Sequence, residues 1–168
     1  VIGESDTKEV IIKQMMDKYG DSIVRMCYLY LKDYHLAEDA AQETFFSAFR
    51  AYDRFENKSS EKTWLTKIAI NQCKSIMRKK YFQMEREKIN WREMEVSMET
   101  NIQTNSLVSD AVMKLSRKER EVILAYYYQE LSVKEVAKVL GIKEAAVMQR
   151  LKRAREHLNR ALDGKVVL

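Results

Sequence analysis

Residues 131–155, LSVKEVAKVLGIKEAAVMQRLKRAR, decide the fold of this chain. The stretch contains two helical patterns that meet at a single glycine, Gly141. Ser132 and Glu135 have the spacing of a capping box, in which each side chain pairs with the backbone N–H of the other, so the first helix is predicted to begin there. Gly141 can adopt the positive φ that ends a helix abruptly. The pattern predicts a helix-turn-helix.

The second helix of this motif has two different faces. Apolar residues at three- and four-residue spacing form a stripe that is expected to pack inward: Ile142, Val147, Leu151, Ala154 and Leu158. The opposite face and its flanks carry mainly cationic and polar residues. We call them the recognition set: Lys143, Ala145, Met148, Gln149, Arg150, Lys152, Arg153 and Arg155. Such a face is typical of a helix that lies in the major groove of DNA. An ordinary helical hairpin with a solvated basic face has the same pattern.

The composition is that of an all-helical chain. Its 168 residues include no proline and only four glycines, and no stretch has the alternating pattern of a β-strand. The formal charge of +5 favours polyanionic partners. No apolar run is long enough to span a bilayer and no secretory signal is present, so we expect a cytoplasmic protein without membrane insertion. Val1 is not a natural start, so the numbering is expected to begin either inside the native chain or after a processed tag.

Residues that carry chemistry are sparse. Cys27 and Cys73 lie within helical patterns and are predicted to be reduced core residues. No Cys or His grouping has metal-ligand spacing. The sequence also lacks a phosphate-binding glycine loop, a nucleophile elbow and a paired-carboxylate arrangement. We therefore expect no metal, no cofactor and no enzymatic activity.

Two helical regions are predicted on either side of a linker. In the first region, helical patterns cover residues 9–32, with a break at Gly20-Asp21, about 37–52 and about 62–80. The charge-rich, weakly patterned segment 82–105 is predicted to be a flexible linker with some helix in its first half. Ser116 and Glu119 then form another capping box, which opens a helix ahead of the helix-turn-helix. We expect two small all-α domains, residues 1–81 and 106–168.

The helix at 37–52 carries two stripes. Its apolar stripe consists of Ala41, Phe45, Ala48, Phe49 and Tyr52. A second stripe with the same spacing, the acidic stripe, consists of Asp39, Gln42, Glu43 and Phe46. A phenyl ring beside two carboxylates and an amide suits a protein partner with a basic surface. The alternative is a solvated acidic face whose Phe46 packs against a neighbouring helix.

The helix at 62–80 has the opposite charge. Cations and polar groups gather on one side of it: Lys67, Asn71, Lys74, Ser75, Arg78 and Lys79. Such a face suits a phosphate backbone and base edges. The preceding loop, residues 55–62, includes Lys58 and Ser60 and could line a pocket for an extruded base. Trp64 is either a base-stacking residue or a core residue.

Three motifs in this order resemble a bacterial RNA polymerase sigma factor of the extracytoplasmic-function (ECF) group. They are AEDAAQETFFSAFR at 37–50, TWLTKIAINQCKSIMRKK at 63–80 and the helix-turn-helix at 131–158. The resemblance covers roughly residues 10–162 apart from the linker. It implies a helical domain that acts on polymerase and melted DNA, followed by a helix-turn-helix domain that acts on duplex DNA.

The resemblance implies a role for each surface. The acidic stripe would dock on the clamp helices of the largest subunit of core RNA polymerase. The −10 set, which comprises Lys58, Ser60, Trp64, Lys67, Asn71, Lys74, Ser75, Arg78 and Lys79, would read and hold the melted −10 element of promoter DNA. The recognition set would lie in the −35 major groove. An anti-sigma factor, often membrane-anchored, would hold the protein inactive until an envelope signal releases it.

Two other functions fit the residues. A stand-alone transcription regulator would combine the same helix-turn-helix with an N-terminal interaction domain and would bind a two-fold symmetric site without polymerase. A helical adaptor would use its basic faces to bind acidic proteins, and competing DNA would not displace them.

Met148 cannot make a bidentate contact to guanine, so Met148 and Gln149 are expected to decide the −35 preference.

Overall fold

The computed structural model describes residues 4–86 and 107–162, and all regular secondary structure within these ranges is helical. The first range contains α1 (Glu4–Leu31), α2 (Tyr34–Ala51), a 3-10 turn (Tyr52–Arg54) and α3 (Glu61–Arg86). The second contains α4 (Leu107–Lys114), α5 (Arg117–Ile123) with its π-helical extension (Leu124–Tyr128), α6 (Val133–Leu140) and α7 (Glu144–Ala161). The predicted all-α fold class is confirmed. Of the segment predicted as a linker, residues 82–86 belong to α3, and residues 87–105 lie outside the described ranges.

The predicted break at Gly20-Asp21 is wrong, because α1 runs through both residues without interruption. Gly20 stays helical, whereas Gly141 is the glycine of the described residues that adopts a positive φ. A glycine inside a helix costs about 1 kcal/mol relative to alanine. The burial of Ile23 and Met26, within the next two turns of α1, outweighs that cost.

α2 begins at Tyr34, three residues before the predicted start at Ala37. Asp33 caps this helix, since its carboxylate accepts a hydrogen bond from the backbone N–H of Leu36 at 3.0 Å. Lys32 directly follows α1 and adopts a left-handed φ of 59°. Because one left-handed residue reverses the chain here, two residues are enough to connect the two helices.

Helices α1, α2 and α3 share one apolar core. Of the apolar stripe predicted for the helix at 37–52, Ala41, Phe45 and Ala48 are buried in this core, and Phe49 and Tyr52 pack against it half-buried. The largest fully buried side chains of α1 and α3 include Ile23, Met26, Leu65 and Ile70. Cys27 and Cys73 are free thiols buried in the same core. A hydrogen bond with Cys27 and burial raise the pKa of the Cys73 thiol, so this thiol stays protonated.

The helix-turn-helix forms as predicted. Both capping boxes are present, with Ser116 paired to Glu119 and Ser132 paired to Glu135. Gly141 ends α6 in the left-handed region at φ 66° and ψ 37°. α7 then packs its apolar stripe inward, with Val147, Leu151, Ala154 and Leu158 all buried. The predicted periodicity therefore corresponds to the buried side of the second helix.

The two described ranges contact each other across α1 and α3. The Tyr30 hydroxyl donates a hydrogen bond to Glu121 Oε1 at 2.6 Å, and Arg120 Nη1 donates one to the Tyr30 carbonyl oxygen at 2.6 Å. The Gln129 amide bonds the Ser22 hydroxyl at 3.0 Å. These residues are 90 or more positions apart in sequence. The contact therefore fixes how the helix-turn-helix sits relative to α1–α3 in this structure.

Candidate polymerase and nucleic-acid interfaces

The acidic stripe lies on the outer face of α2. All four of its residues are exposed, and the Phe46 ring retains 53% of its accessible surface. Glu43 forms an ion pair with Arg50 and accepts a hydrogen bond from Ser47 at 3.4 Å. α2 places the stripe outward because the other side of the helix packs Ala41, Phe45 and Ala48 into the core. Phe46 thus lies on the surface and is not packed against a neighbouring helix.

The start of α3 is organised by the preceding loop. The Ser60 hydroxyl accepts a hydrogen bond from the backbone N–H of Thr63 at 3.1 Å and thereby caps α3. Asn57 adopts a left-handed φ of 51°, and Lys58 forms an exposed ion pair with Glu56. Asparagine tolerates this conformation better than most residues. The loop therefore contains a left-handed turn at Asn57, directly before the exposed Lys58.

Trp64 is half-buried and has aromatic neighbours. Its ring stacks on Phe55, with the centroids 4.4 Å apart and an interplanar angle of 21°. Tyr52 lies 6.4 Å from the same ring in a tilted arrangement. Sequence reasoning assigned Tyr52 to the apolar stripe of the helix at 37–52 and Phe55 to the loop at 55–62, but it did not predict that both rings contact Trp64. The sequence contained a signal for this cluster, because Tyr52 and Phe55 lie on either side of the polar pair Asp53-Arg54, shortly before Trp64.

The remaining residues of the −10 set differ in exposure along α3. Lys67, Asn71, Arg78 and Lys79 are exposed, and Ser75 is half-buried. Lys74 is half-buried, and its ammonium group lies 3.6 Å from Glu121 Oε2, a carboxylate oxygen of α5. The −10 set therefore forms one basic face, and the helices of the second range cover one edge of it.

The recognition set lies on the outer face of α7 and the turn before it. Lys143, Ala145, Met148, Gln149, Lys152 and Arg153 are exposed, and Arg150 and Arg155 are half-buried. Met148 retains 63% of its accessible surface at the centre of this face. Lys143 is the N-cap residue of α7 and makes no capping hydrogen bond with its side chain. The six exposed residues of the set bring cations, one amide and one thioether together on one helix face, whereas Arg150 and Arg155 flank it and Arg150 lines a cleft shared with Lys74 and Arg78 of α3.

Arg155 is held by a residue that sequence reasoning missed. Its Nε donates a hydrogen bond to the Tyr127 hydroxyl at 2.7 Å, and its guanidinium group lies 5.6 Å from the centroid of that ring. Tyr127 belongs to the π-helical extension of α5. The contact fixes the direction of the guanidinium group beside the exposed face of α7.

The two caps of the helix-turn-helix domain carry perturbed carboxylates. Hydrogen bonds from the Ser132 backbone and hydroxyl groups lower the pKa of Glu135. Burial acts to raise the pKa of Glu119, but hydrogen bonds from Ser116 and His157 outweigh it and lower the pKa. Both carboxylates are thus charged when they cap their helices, which favours the helix N-termini.

A cleft of 530 Å³ lies between α3 and the second range. Cations from both sides line it, among them Arg78, Arg117 and Lys118. Exposed Tyr81 and Phe82 of α3 line the same cleft.

Within residues 4–86 and 107–162, no three His, Cys, Asp or Glu side chains are grouped to hold a metal ion. None of the helices described for this chain is long and apolar enough to cross a membrane.

Comparison with known families and proteins identifies the class. The family model for Sigma-70 region 2 matches residues 15–82, and that for Sigma-70, region 4 matches residues 106–158. The chain is 31% identical over 166 residues to the ECF RNA polymerase sigma factor SigW of Bacillus subtilis, an alignment that covers 88% of this chain and 87% of SigW. The chain therefore belongs to the ECF group of RNA polymerase sigma factors, which are transcription initiation factors.

Two solved structures have a similar fold. The sigma factor RpoE from Bartonella quintana, in complex with the anti-sigma factor NepR, matches with a TM-score of 0.72 and 25% identity, covering 92% of this chain and 98% of that one. CnrH, in complex with the cytosolic domain of CnrY, matches with a TM-score of 0.69 over 94% of this chain and 91% of that one. At 24% identity, the likeness to CnrH concerns the fold alone.

Proposed function

We propose that this sigma factor directs core RNA polymerase to its promoters through three separate surfaces. One observation supports this above all: a single chain exposes an acidic stripe with a half-exposed phenyl ring and also two basic helix faces. The acidic stripe docks on the clamp helices of the largest polymerase subunit. Its carboxylates match a basic surface and Phe46 supplies the apolar contact, a combination typical of interface anchors.

The −10 set holds the non-template strand once the promoter has melted. Extruding a base costs a few kcal/mol of unstacking energy. Lys67, Asn71 and Arg78 offset this cost by contacting the strand along one face of α3, and the loop at residues 57–62 receives the extruded base. Trp64 has one side on Phe55, so its role is to support that pocket. In this proposal the chain carries out no bond chemistry, which remains with the polymerase.

The recognition set reads the −35 element in the major groove. Lys152 and Arg153 contact phosphates, which gives salt-dependent attraction to any DNA sequence. Gln149 has the donor and acceptor needed for a bidentate contact to adenine, whereas Met148 offers only apolar contact, as with a thymine methyl group. We therefore expect an A·T base pair, and not a guanine, opposite the centre of α7.

An anti-sigma factor is the proposed regulator. RpoE, a structural relative, was solved with the anti-sigma factor NepR. By this likeness, a protein of the same class, soluble or membrane-anchored, would hold the present chain inactive until an envelope or stress signal arrives. The chain would act in the cytoplasm, where RNA polymerase and promoter DNA are located.

Run-off transcription tests the proposed function. Core polymerase is supplied with the full chain and a library of promoter fragments, and the 5′ ends of the transcripts are mapped. We expect a small set of defined start sites that core enzyme alone does not use. Start sites identical to those of core enzyme alone would refute the proposal. Tight binding of the isolated chain to a two-fold symmetric site would instead favour a stand-alone regulator.

A further inference from the structure

The cleft between α3 and the second described range gathers an excess of positive charge. It has a volume of 530 Å³. Among the described residues that line it, one is a carboxylate, Glu121, and five are cations: Lys74 and Arg78 of α3, Arg117 and Lys118 of α5, and Arg150 of α7. The lining therefore has a formal excess of four positive charges. A concave surface with charges of one sign concentrates ions of the opposite sign.

Glu121 neutralises only part of this charge. Its Oε2 atom lies 3.6 Å from the ammonium nitrogen of Lys74, and its Oε1 atom lies 4.0 Å from Arg117 Nε. The same carboxylate accepts a hydrogen bond from the Tyr30 hydroxyl at 2.6 Å. Within residues 4–86 and 107–162, the other three cations form no ion pair: Arg78, Lys118 and Arg150. These three cations are therefore available to an external anion.

One wall of the cleft is aromatic. Tyr81 and Phe82, in the last two turns of α3, retain 60% and 52% of their accessible surface. Their rings are arranged edge to face, with the centroids 6.0 Å apart and an interplanar angle of 71°. Three half-buried apolar residues also line the cleft: Met77, Leu140 and Ile142. Exposed aromatic rings beside cations are typical of sites that stack a nucleobase next to its phosphates.

The chemistry of the ligand follows from three guanidinium groups and two aromatic rings that line one small volume. Arg78, Arg117 and Arg150 each present a planar fork of N–H donors, a geometry that matches phosphate oxygens. Small-molecule sites have volumes of about 300–1,000 Å³, and the cleft lies within this range. Inorganic phosphate would leave the rings of Tyr81 and Phe82 uncovered. A planar base joined to a chain of phosphates fits both the cations and the rings.

We propose that this cleft binds a nucleoside polyphosphate. The cations of α3, α5 and α7 contact the phosphate chain, and the base stacks on the exposed ring of Tyr81 or Phe82. A bound nucleotide thus bridges α3 and the helix-turn-helix domain. Lys118 and the two aromatic residues belong to none of the three surfaces of the proposed function. Arg78 belongs to the −10 set and Arg150 to the recognition set, but nucleotide binding does not depend on either assignment.

Isothermal titration calorimetry of the full chain with ATP, at a salt concentration of about 0.15 M, tests the charge of the site. We expect saturable binding with a Kd below about 1 mM. The variant Lys118→Gln/Arg150→Gln should raise this Kd at least about tenfold, because a hydrogen bond to a charged group contributes roughly that factor.

The matched control for the charge test is Lys13→Gln/Arg160→Gln. It also removes one lysine and one arginine charge, but from exposed positions that do not line the cleft. This control should change the Kd for ATP less than about twofold. No binding of ATP by the parent chain, or equal Kd values for the two variants, would overturn the proposal.

A second pair of variants tests the aromatic wall. Tyr81→Ala/Phe82→Ala should weaken ATP binding at least about fivefold, because it removes the stacking surface, but it should not change the binding of inorganic triphosphate, which has no base. The control Tyr34→Ala/Phe46→Ala truncates one tyrosine and one phenylalanine of similar exposure and should leave both Kd values unchanged. Triphosphate that binds the parent chain as tightly as ATP, or equal losses for the two ligands in Tyr81→Ala/Phe82→Ala, would refute the assignment of a nucleoside.

An oligothymidylate of about ten nucleotides, within the site size of strand-binding proteins, separates a free nucleotide from a nucleic-acid strand. Both ligands carry bases and phosphates, so the variants decide between them. Relative to the charge control, we expect Lys118→Gln/Arg150→Gln to weaken ATP binding more than it weakens binding of the oligothymidylate. An equal or larger loss for the oligothymidylate would make the cleft a strand-binding site and would overturn the proposal.

Discussion

Truncation of Phe46 to alanine should weaken binding to core RNA polymerase without unfolding the chain. The ring retains 53% of its accessible surface in the free structure. A phenylalanine side chain buries about 150–250 Å² when fully covered, so roughly 100 Å² remains available to a partner. At about 25 cal/mol per Å², covering that area contributes about 2.5 kcal/mol, which corresponds to roughly a sixtyfold change in Kd.

The structure offers a matched control for this change. Phe82 lies on α3, outside the acidic stripe, and retains 52% of its accessible surface. Fluorescence anisotropy of labelled chain titrated with core polymerase gives the Kd of each variant. We expect Phe46→Ala to raise the Kd between about ten- and sixtyfold and Phe82→Ala to change it less than about twofold. Equal effects of the two truncations, or an unchanged Kd for Phe46→Ala, would refute the docking assignment.

Three further predictions concern the helix-turn-helix domain. Gly141→Ala should lower the free energy of unfolding by about 1–2 kcal/mol in urea titrations, because alanine is strained at φ 66°; an unchanged midpoint would contradict this role. Met148→Arg should shift the preferred −35 sequence towards guanine in selection from a randomised promoter library, and an unaltered preference would place Met148 outside the groove. The lowered pKa of Glu135 contributes stability that is present above its unfolded value of 4.5 and lost as pH falls through the folded value. Glu135→Gln should therefore lose less stability between pH 6 and about pH 3 than the parent chain, whereas parallel pH profiles would show that this carboxylate is uncoupled from folding.

Local signals allowed much of the fold to be predicted. The capping boxes at Ser116 and Ser132, the left-handed Gly141 and the apolar stripe of α7 are each set by residues within a few positions of one another. Local propensity failed at Gly20, where packing on both sides overrides the weak helix preference of glycine. It failed again at the start of α2, because the cap Asp33 was not recognised.

Contacts between distant segments could not be predicted in the same way. Tyr30 and Glu121 are 91 positions apart, and their hydrogen bond depends on how two helical domains pack. The Tyr127 hydroxyl that orients Arg155 is likewise supplied by a different helix. Periodicity shows which side of a helix is buried but not which partner buries it. Exposed surfaces such as the acidic stripe were therefore easier to predict than the covered edge of α3.

Permanganate footprinting of a selected promoter tests the central claim most directly, because it detects unpaired thymines in melted DNA. The claim is that the chain and core polymerase together recognise the −35 element and open the −10 element. We predict reactive thymines near −10 only when both proteins are present, and loss of this reactivity with Phe46→Ala at limiting protein concentration. Reactive thymines with core polymerase alone would contradict the claim. So would a chain that protects the duplex equally with and without polymerase and produces no melting.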